Sequence, residues 1–197
     1  MRWVWLYLRA RRVPAALATS TALLAAAWAG HLLWSDSRLV NANLVALTVL
    51  LGVSALAATL GGPDEDLERT APVRWPLRRV VHLLAAALAV GVPLALTALT
   101  AARFGPLGLV VRDLAGLLGL TALGAAVGGA GRSWIAPLGW TLVAVAPFLD
   151  PSHSVRLQVL CWPVQPAGNT AAWICAAVLA AGGTIAYAWR GGRAAAR

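Results

Sequence analysis

The chain has 197 residues, 60% of them hydrophobic and only 12% charged, where ordinary soluble domains carry about twice that charge. With a mean hydropathy of +0.74, this composition excludes a soluble globular protein and points to one integral membrane domain over residues 1–197. The formal net charge of +9 does not indicate nucleic acid, because the arginines stand between apolar runs and read as membrane topology signals.

Residues 1–12 carry Arg2, Arg9, Arg11 and Arg12 among Trp3, Trp5, Leu6, Tyr7 and Leu8. On a helix Arg2, Arg9 and Arg12 share one face and Trp3, Leu6 and Ala10 another, the make-up of a helix lying in the membrane interface. Simple basic flanking of the first span explains the same residues. Residues 13–33 are uncharged over about twenty positions, enough to cross a hydrocarbon core of about 30 Å. The basic start and Ala27-Trp28-Ala29 have the outline of a cleaved signal, but the long apolar runs that follow favour an uncleaved first span.

After a polar break at 31–38, residues 40–60 form a second span. In the stretch 61–79 polar chemistry outweighs apolar: four of the seven acids, Asp64, Glu65, Asp66 and Glu68, stand with Arg69, Arg74, Arg78 and Arg79. Asp64 follows a Gly-Gly-Pro break and is placed to cap a short helix over 64–71. Acids fill its first turn and Arg69 comes later, as the helix dipole favours. Glu65 and Arg69 stand four apart in the supportive order, and Pro72 and Pro76 forbid continuation. The segment reads either as a docking element for a soluble partner at the membrane face or as a solvated loop.

Residues 80–102 form a third span with Pro93 near its middle, where proline marks a kink stabilised by neighbouring helices. A turn at 103–106 leads to a fourth span, 107–130. Arg112 and Asp113 lie inside it, and at the bilayer centre each would cost roughly 3 kcal/mol. The pair is therefore expected near the outer interface or against other protein. It reads as a polar patch on a substrate route or as an interfacial pair. The same helix carries Gly116, Gly119, Gly124 and Gly128, the last two at a small-xxx-small spacing that permits close packing.

A tight turn, Gly131-Arg132-Ser133, precedes a short fifth span, 134–149, with Pro137 and Pro147 near its ends. Within the connection 150–169, residues 155–164 are apolar, with Leu157, Leu160, Cys161 and Trp162. Such a run is too short to cross, and dips into the interface or re-enters. Residues 170–189 form a sixth span, followed by Arg190, Arg193 and Arg197. The expected fold is all-α with six transmembrane helices, an N-terminal interfacial helix, a short cytoplasmic helix between helices 2 and 3, and an outward re-entrant segment between helices 5 and 6.

Twelve of the sixteen arginines fall on the side of residue 1, the 61–79 loop, Arg132 and residue 197, against Arg38, Arg103, Arg112 and Arg156 on the other. Both termini are thereby expected in the cytoplasm. All the basic residues counted are Arg, and without Lys a Walker-type phosphate loop cannot form. Usage rich in Ala, Gly, Arg and Pro also fits a bacterial genome of high G+C content, hence a bacterial cytoplasmic membrane. Cys161 and Cys175 are too few for a disulfide framework or a metal site, and His31, His82 and His153 are scattered. Ser54 and Thr97 have no His or carboxylate at helical spacing and read as packing residues, not nucleophiles. No catalytic, cofactor or metal site is expected in this chain.

This order of elements resembles the compact permeases of ABC exporters of the ABC-2 type. Glu68-Arg69-Thr70-Ala71-Pro72-Val73 is similar to that family's Glu, Thr, Pro-Val pattern in the loop after the second helix. Ser133-Trp134-Ile135-Ala136-Pro137-Leu138 and Trp162-Pro163-Val164-Gln165-Pro166 are similar to stretches in actinobacterial members. The resemblance implies a half-transporter: two permease subunits, identical or not, face each other across a substrate pathway, and separately encoded ATPase subunits bind ATP and Mg on the cytoplasmic side. It makes the 64–71 segment the coupling helix, with Asp64, Glu65, Asp66, Leu67, Glu68, Arg69 and Thr70 as ATPase-docking residues. Arg112 and Asp113 are the candidate pathway or outer polar patch.

An apolar pathway with few fixed charges suits a lipid, peptide or other amphipathic product better than an ion. A secondary transporter or channel is the alternative from another class, and such proteins place ionisable groups near mid-membrane. An accessory or immunity membrane protein without an ATPase partner is a further alternative.

Overall fold

The computed structural model describes residues 6, 8, 9, 11–61, 75–146 and 154–192. Within them seven α-helices follow one another: α1 (Val13–Trp34), α2 (Ala42–Ala57), α3 (Trp75–Leu96), α4 (Leu107–Gly128), α5 (Ile135–Ala144), α6 (Val155–Leu160) and α7 (Thr170–Arg190). Short 3-10 turns extend α2 (Ala58–Leu60) and α3 (Thr97–Leu99), follow α4 (Ala130–Arg132), and follow α6 (Trp162–Val164). Five helices are long and apolar enough to cross a membrane, namely α1, α2 and α3 with the turns that extend α2 and α3, then α4 and α7. The chain is a multi-pass membrane protein by that measure.

Local chemistry sets the helix starts. Pro14 stands in the first turn of α1, where its missing N–H costs nothing. The side chains of Asn41, Ser154 and Asn169 accept from Leu44 N, Leu157 N and Ala172 N and so cap α2, α6 and α7. Pro93 does not end α3, which continues to Leu96 before tightening into its 3-10 turn.

The apolar interior is organised around α4 and α2, whose most hydropathic windows are 72% and 61% buried, against 17%, 22% and 28% for α1, α3 and α7. Small residues let backbones approach. Gly52 of α2 lies under Val90 of α3 and Leu24 of α1, and Ser20 Oγ donates to Gly52 O at 3.2 Å. The tightest crossing joins α4 to α7, where a Cβ on Gly183 would strike the Gly119 carbonyl and one on Gly119 would strike Leu179 O. The closest helix crossing thus uses Gly119; of the Gly124 and Gly128 pair, Gly124 packs tightly on the turn after its own helix, where a Cβ would stand 2.9 Å from Ser133 O, and a Cβ at Gly128 would meet nothing within 4 Å.

Trp173, near the start of α7, lies beside Gly108 near the start of α4. With Gly119 crossing Gly183 farther along, the two helices run in the same direction. One end of the bundle therefore gathers Gly61, paired by a bridge to Gly192, and Tyr187, whose hydroxyl donates to Leu60 O at 2.8 Å. At the other end Leu39 bridges Arg103, with Arg103 N donating to Arg38 O.

The observed helices follow the expected spans closely at 13–33, 40–60, 107–130 and 170–189. The third begins earlier, at Trp75 and not at 80, because Pro76 falls in the first turn, where proline is tolerated. The stretch expected as a fifth span, 134–149, is helical only over Ile135–Ala144, and residues 147–150 lie outside those described. Ten residues rise about 15 Å, half of a hydrocarbon core. The six-span expectation thus meets five full-length helices and one of half length among the described residues.

Candidate functional site

Of the sequence-derived candidates, Asp64, Glu65, Asp66, Leu67, Glu68, Arg69 and Thr70 lie outside the described residues, as does most of the expected interfacial helix at 1–12. What is described is their setting: Gly61 and Trp75 flank the loop at the end of the bundle where α1 begins and α7 stops. Arg79, in the first turns of α3, donates from Nη1 to Ala188 O of α7 at 3.1 Å, a cation placed where the C-terminal carbonyls of a helix favour one.

Arg112 and Asp113 sit in α4 at 0% exposure. The Arg112 guanidinium reaches Asp113 Oδ1 from Nε at 3.0 Å and from Nη2 at 2.9 Å. Its remaining N–H groups point across to the segment after α6. Nη2 donates to Pro163 O at 3.0 Å, and Nη1 donates to Gln165 O at 2.9 Å and Pro166 O at 3.1 Å. All five donors of the fork therefore have protein acceptors, and none is left for a passing solute.

The segment it holds needs such donors. Residues 161–169 are largely irregular, and Cys161, Trp162, Pro163 and Gln165 are buried; the Trp162 indole rests where a Cβ on Gly116 would stand. Buried backbone carbonyls must find partners, and here they come from long side chains. Trp140 Nε1 donates to Leu160 O at 2.8 Å and Trp173 Nε1 to Ala167 O at 2.8 Å. With Arg112 on Pro163, Gln165 and Pro166, three side chains from α4, α5 and α7 hold the whole segment. Asn169 completes it, donating from Nδ2 to Gln158 Oε1 at 3.2 Å and to Gln165 Oε1 at 3.3 Å.

No protein-family model, curated protein or solved structure matches this chain.

Sequence reasoning placed Arg112 and Asp113 in a candidate patch but missed their acceptors. The signal was present in Trp162-Pro163-Val164-Gln165-Pro166: two prolines in five residues remove N–H donors and break helical pairing, leaving carbonyls that must be satisfied from outside. Three buried polar atoms lie among these elements without a hydrogen-bond partner, Asp113 Oδ2, Trp162 Nε1 and Thr141 Oγ1 of α5. Among the described residues no group of His, Cys, Asp and Glu is arranged to hold a metal ion, and Cys161 and Cys175 are free thiols. The site is a charged lock between a helix and an irregular segment.

Proposed function

We propose that this chain is the membrane-spanning permease subunit of an ABC exporter, working as a dimer with separate ATPase subunits, in the bacterial cytoplasmic membrane with both termini cytoplasmic. The observation that carries the reading is the Arg112 lock. Because α4 and α7 run in the same direction, the chain between them passes from one end of the bundle to the other. In this reading that passage is the sixth crossing, and α5 is part of it. The segment α6 to Pro166 then re-enters from the Arg103 end to the depth of Gly116, about 14 Å into α4 at the helical rise. The order of spans, cytoplasmic loop and outward re-entrant segment is that of the ABC-2 permeases the sequence resembles.

The Gly61 end suits the rest of the reading. Asp64 to Thr70 belong to the connection from α2 to α3, and Gly61, which precedes it, lies at the end of the bundle where α7 stops. A force applied there is passed directly to α2, the second most buried span. Transport would follow from that force, with ATP hydrolysed on the partner and no chemistry in this chain. Its substrate would be a lipid, peptide or amphipathic product.

The test is purification of the tagged chain under mild extraction, with co-purifying chains identified and ATPase activity measured. The combined variant Asp64→Ala, Glu65→Ala and Arg69→Ala should weaken ATPase association at least several-fold. A preparation that repeatedly lacks any ATPase would overturn the reading. A secondary transporter is the second reading, favoured by one observation: Asp113 Oδ2 is buried without a partner, as a coupling carboxylate would be between substrates. Proton-dependent flux from vesicles, lost in Asp113→Asn with no ATPase present, would decide for it.

A further inference from the structure

On the exposed side of the bundle, between α1 and α3 toward the Arg103 end, a cleft of about 230 Å³ lies open on one side. Thr21, Ala25 and Trp28 line it from α1, and Pro93, Leu96 and Thr100 from α3 and the turn after it. The cleft lies where Pro93 removes a helix hydrogen bond and α3 tightens into its 3-10 turn. Its polar atoms are largely engaged with protein. Thr97 Oγ1 donates to Leu94 O at 2.6 Å, and Thr100 Oγ1 bonds Thr97 O at 2.8 Å and Ala102 O at 3.0 Å. Trp28 Nε1 donates to Thr100 Oγ1 at 3.1 Å. The surface offered is therefore apolar, and smaller than the roughly 300–1,000 Å³ of a small-molecule pocket. Its walls, α1 and α3, are the two least buried spans.

The rim is cationic. Arg103 N donates to Arg38 O at 2.8 Å and Val40 N to Arg103 O at 2.9 Å, which joins the backbones of the two arginines through the bridge of Arg103 to Leu39. Arg103 is three residues beyond Thr100, and both arginines are exposed. Among the described residues neither forms an ion pair, and the nearby acid Asp36 is exposed. Trp34 is 85% exposed at the same end, a residue type that settles at the headgroup level.

We propose that this cleft binds an anionic phospholipid, with one acyl chain between α1 and α3 and the phosphate at Arg38 and Arg103. The inference rests on the chain crossing a bilayer and is independent of the permease reading. Two arginines at the interface, partly offset by Asp36, favour an anionic over a zwitterionic headgroup by about tenfold.

The experiment is native mass spectrometry of the full chain released from nanodiscs of phosphatidylcholine and phosphatidylglycerol in equal amounts. Wild type should retain one phosphatidylglycerol in about tenfold preference. Arg38→Gln with Arg103→Gln should keep a bound lipid but bring the preference near one. Ala25→Phe, which fills the cleft from an exposed position, should lose the retained lipid, and Leu96→Trp, which covers the mouth from another exposed position, is a second way to the same result. Both are scored only if the protein elutes as a single species. Wild type without headgroup preference, preference unchanged by the arginine pair, or retention unchanged in both cleft-filling variants would each overturn the proposal. So would competition by free glycerol phosphate as effective as by intact lipid, which would leave no role for the cleft.

Discussion

Replacing Arg112 with Leu removes the lock while keeping an apolar side chain in its place. The substitution leaves the Asp113 carboxylate buried without its cation, and strips donors from the carbonyls of Pro163, Gln165 and Pro166. Breaking a buried pair from one side costs about 3–5 kcal/mol; partial re-pairing within the membrane makes the lower figure the working value. That energy should appear first as local opening of the 161–169 segment, since α4 itself keeps its contact with α7. Cys161 reports this directly, being 1% exposed and adjacent to Trp162. In a Cys175→Ser background, maleimide labelling of Cys161 should be very slow in the parent and faster by about 100-fold in Arg112→Leu, as about 3 kcal/mol requires. Arg112→Lys, with one point charge in place of a fork, should fall between. Parent-like labelling in Arg112→Leu, with an unchanged unfolding temperature by tryptophan fluorescence, would refute the assignment of Arg112 as the anchor.

Trp140→Phe and Trp173→Phe each remove one carbonyl donor from the same segment, and should raise Cys161 labelling about fivefold, the effect of roughly 1 kcal/mol. Adjacent glycines in α7 should behave oppositely. Gly183→Ala drives a methyl into the Gly119 carbonyl and should cost about 3 kcal/mol or prevent recovery of monodisperse protein. Gly182→Ala meets nothing within 4 Å and should stabilise by up to about 1 kcal/mol of helix propensity, read as a slightly higher unfolding temperature. Tyr187→Phe deletes the bond to Leu60 O; it should cost about 1 kcal/mol and speed amide exchange at Gly61.

Span positions were legible because they need only length and apolarity. Residues 13–33 and 170–189 match α1 and α7 to a residue, as uninterrupted hydrocarbon-compatible sequence should. The fifth span was not legible in the same way: 134–149 is apolar throughout, and apolarity alone does not distinguish a full crossing from a half-length helix packed on a neighbouring segment. The glycine contacts failed for a different reason. A small-xxx-small spacing reports one helix, whereas the Gly119 and Gly183 crossing depends on two helices far apart in sequence, in a register that only packing determines. The charges at Arg112 and Asp113 were visible at once. Their purpose was not, because it resides in carbonyls that every residue carries and only proline-rich, non-helical backbone leaves in need.

These contacts also restrict which parts of the bundle can move. α4 is joined to α7 by backbone contact at Gly119 and Gly183, and to the irregular segment by Arg112. α7 is joined to the end of α2 through Tyr187 and the Gly61 bridge. Displacing α4 from α7 would expose backbone and uncover a charge in a medium that solvates neither. α2, α4, α7 and the held segment are therefore expected to move as one body. α1 and α3 are the least buried spans, with an open cleft between them, and their polar ties to the rest include Ser20 to Gly52 O, His82 with Thr59 and Arg79 to Ala188 O. Movement of α3 relative to α1 would change the space in the cleft between them.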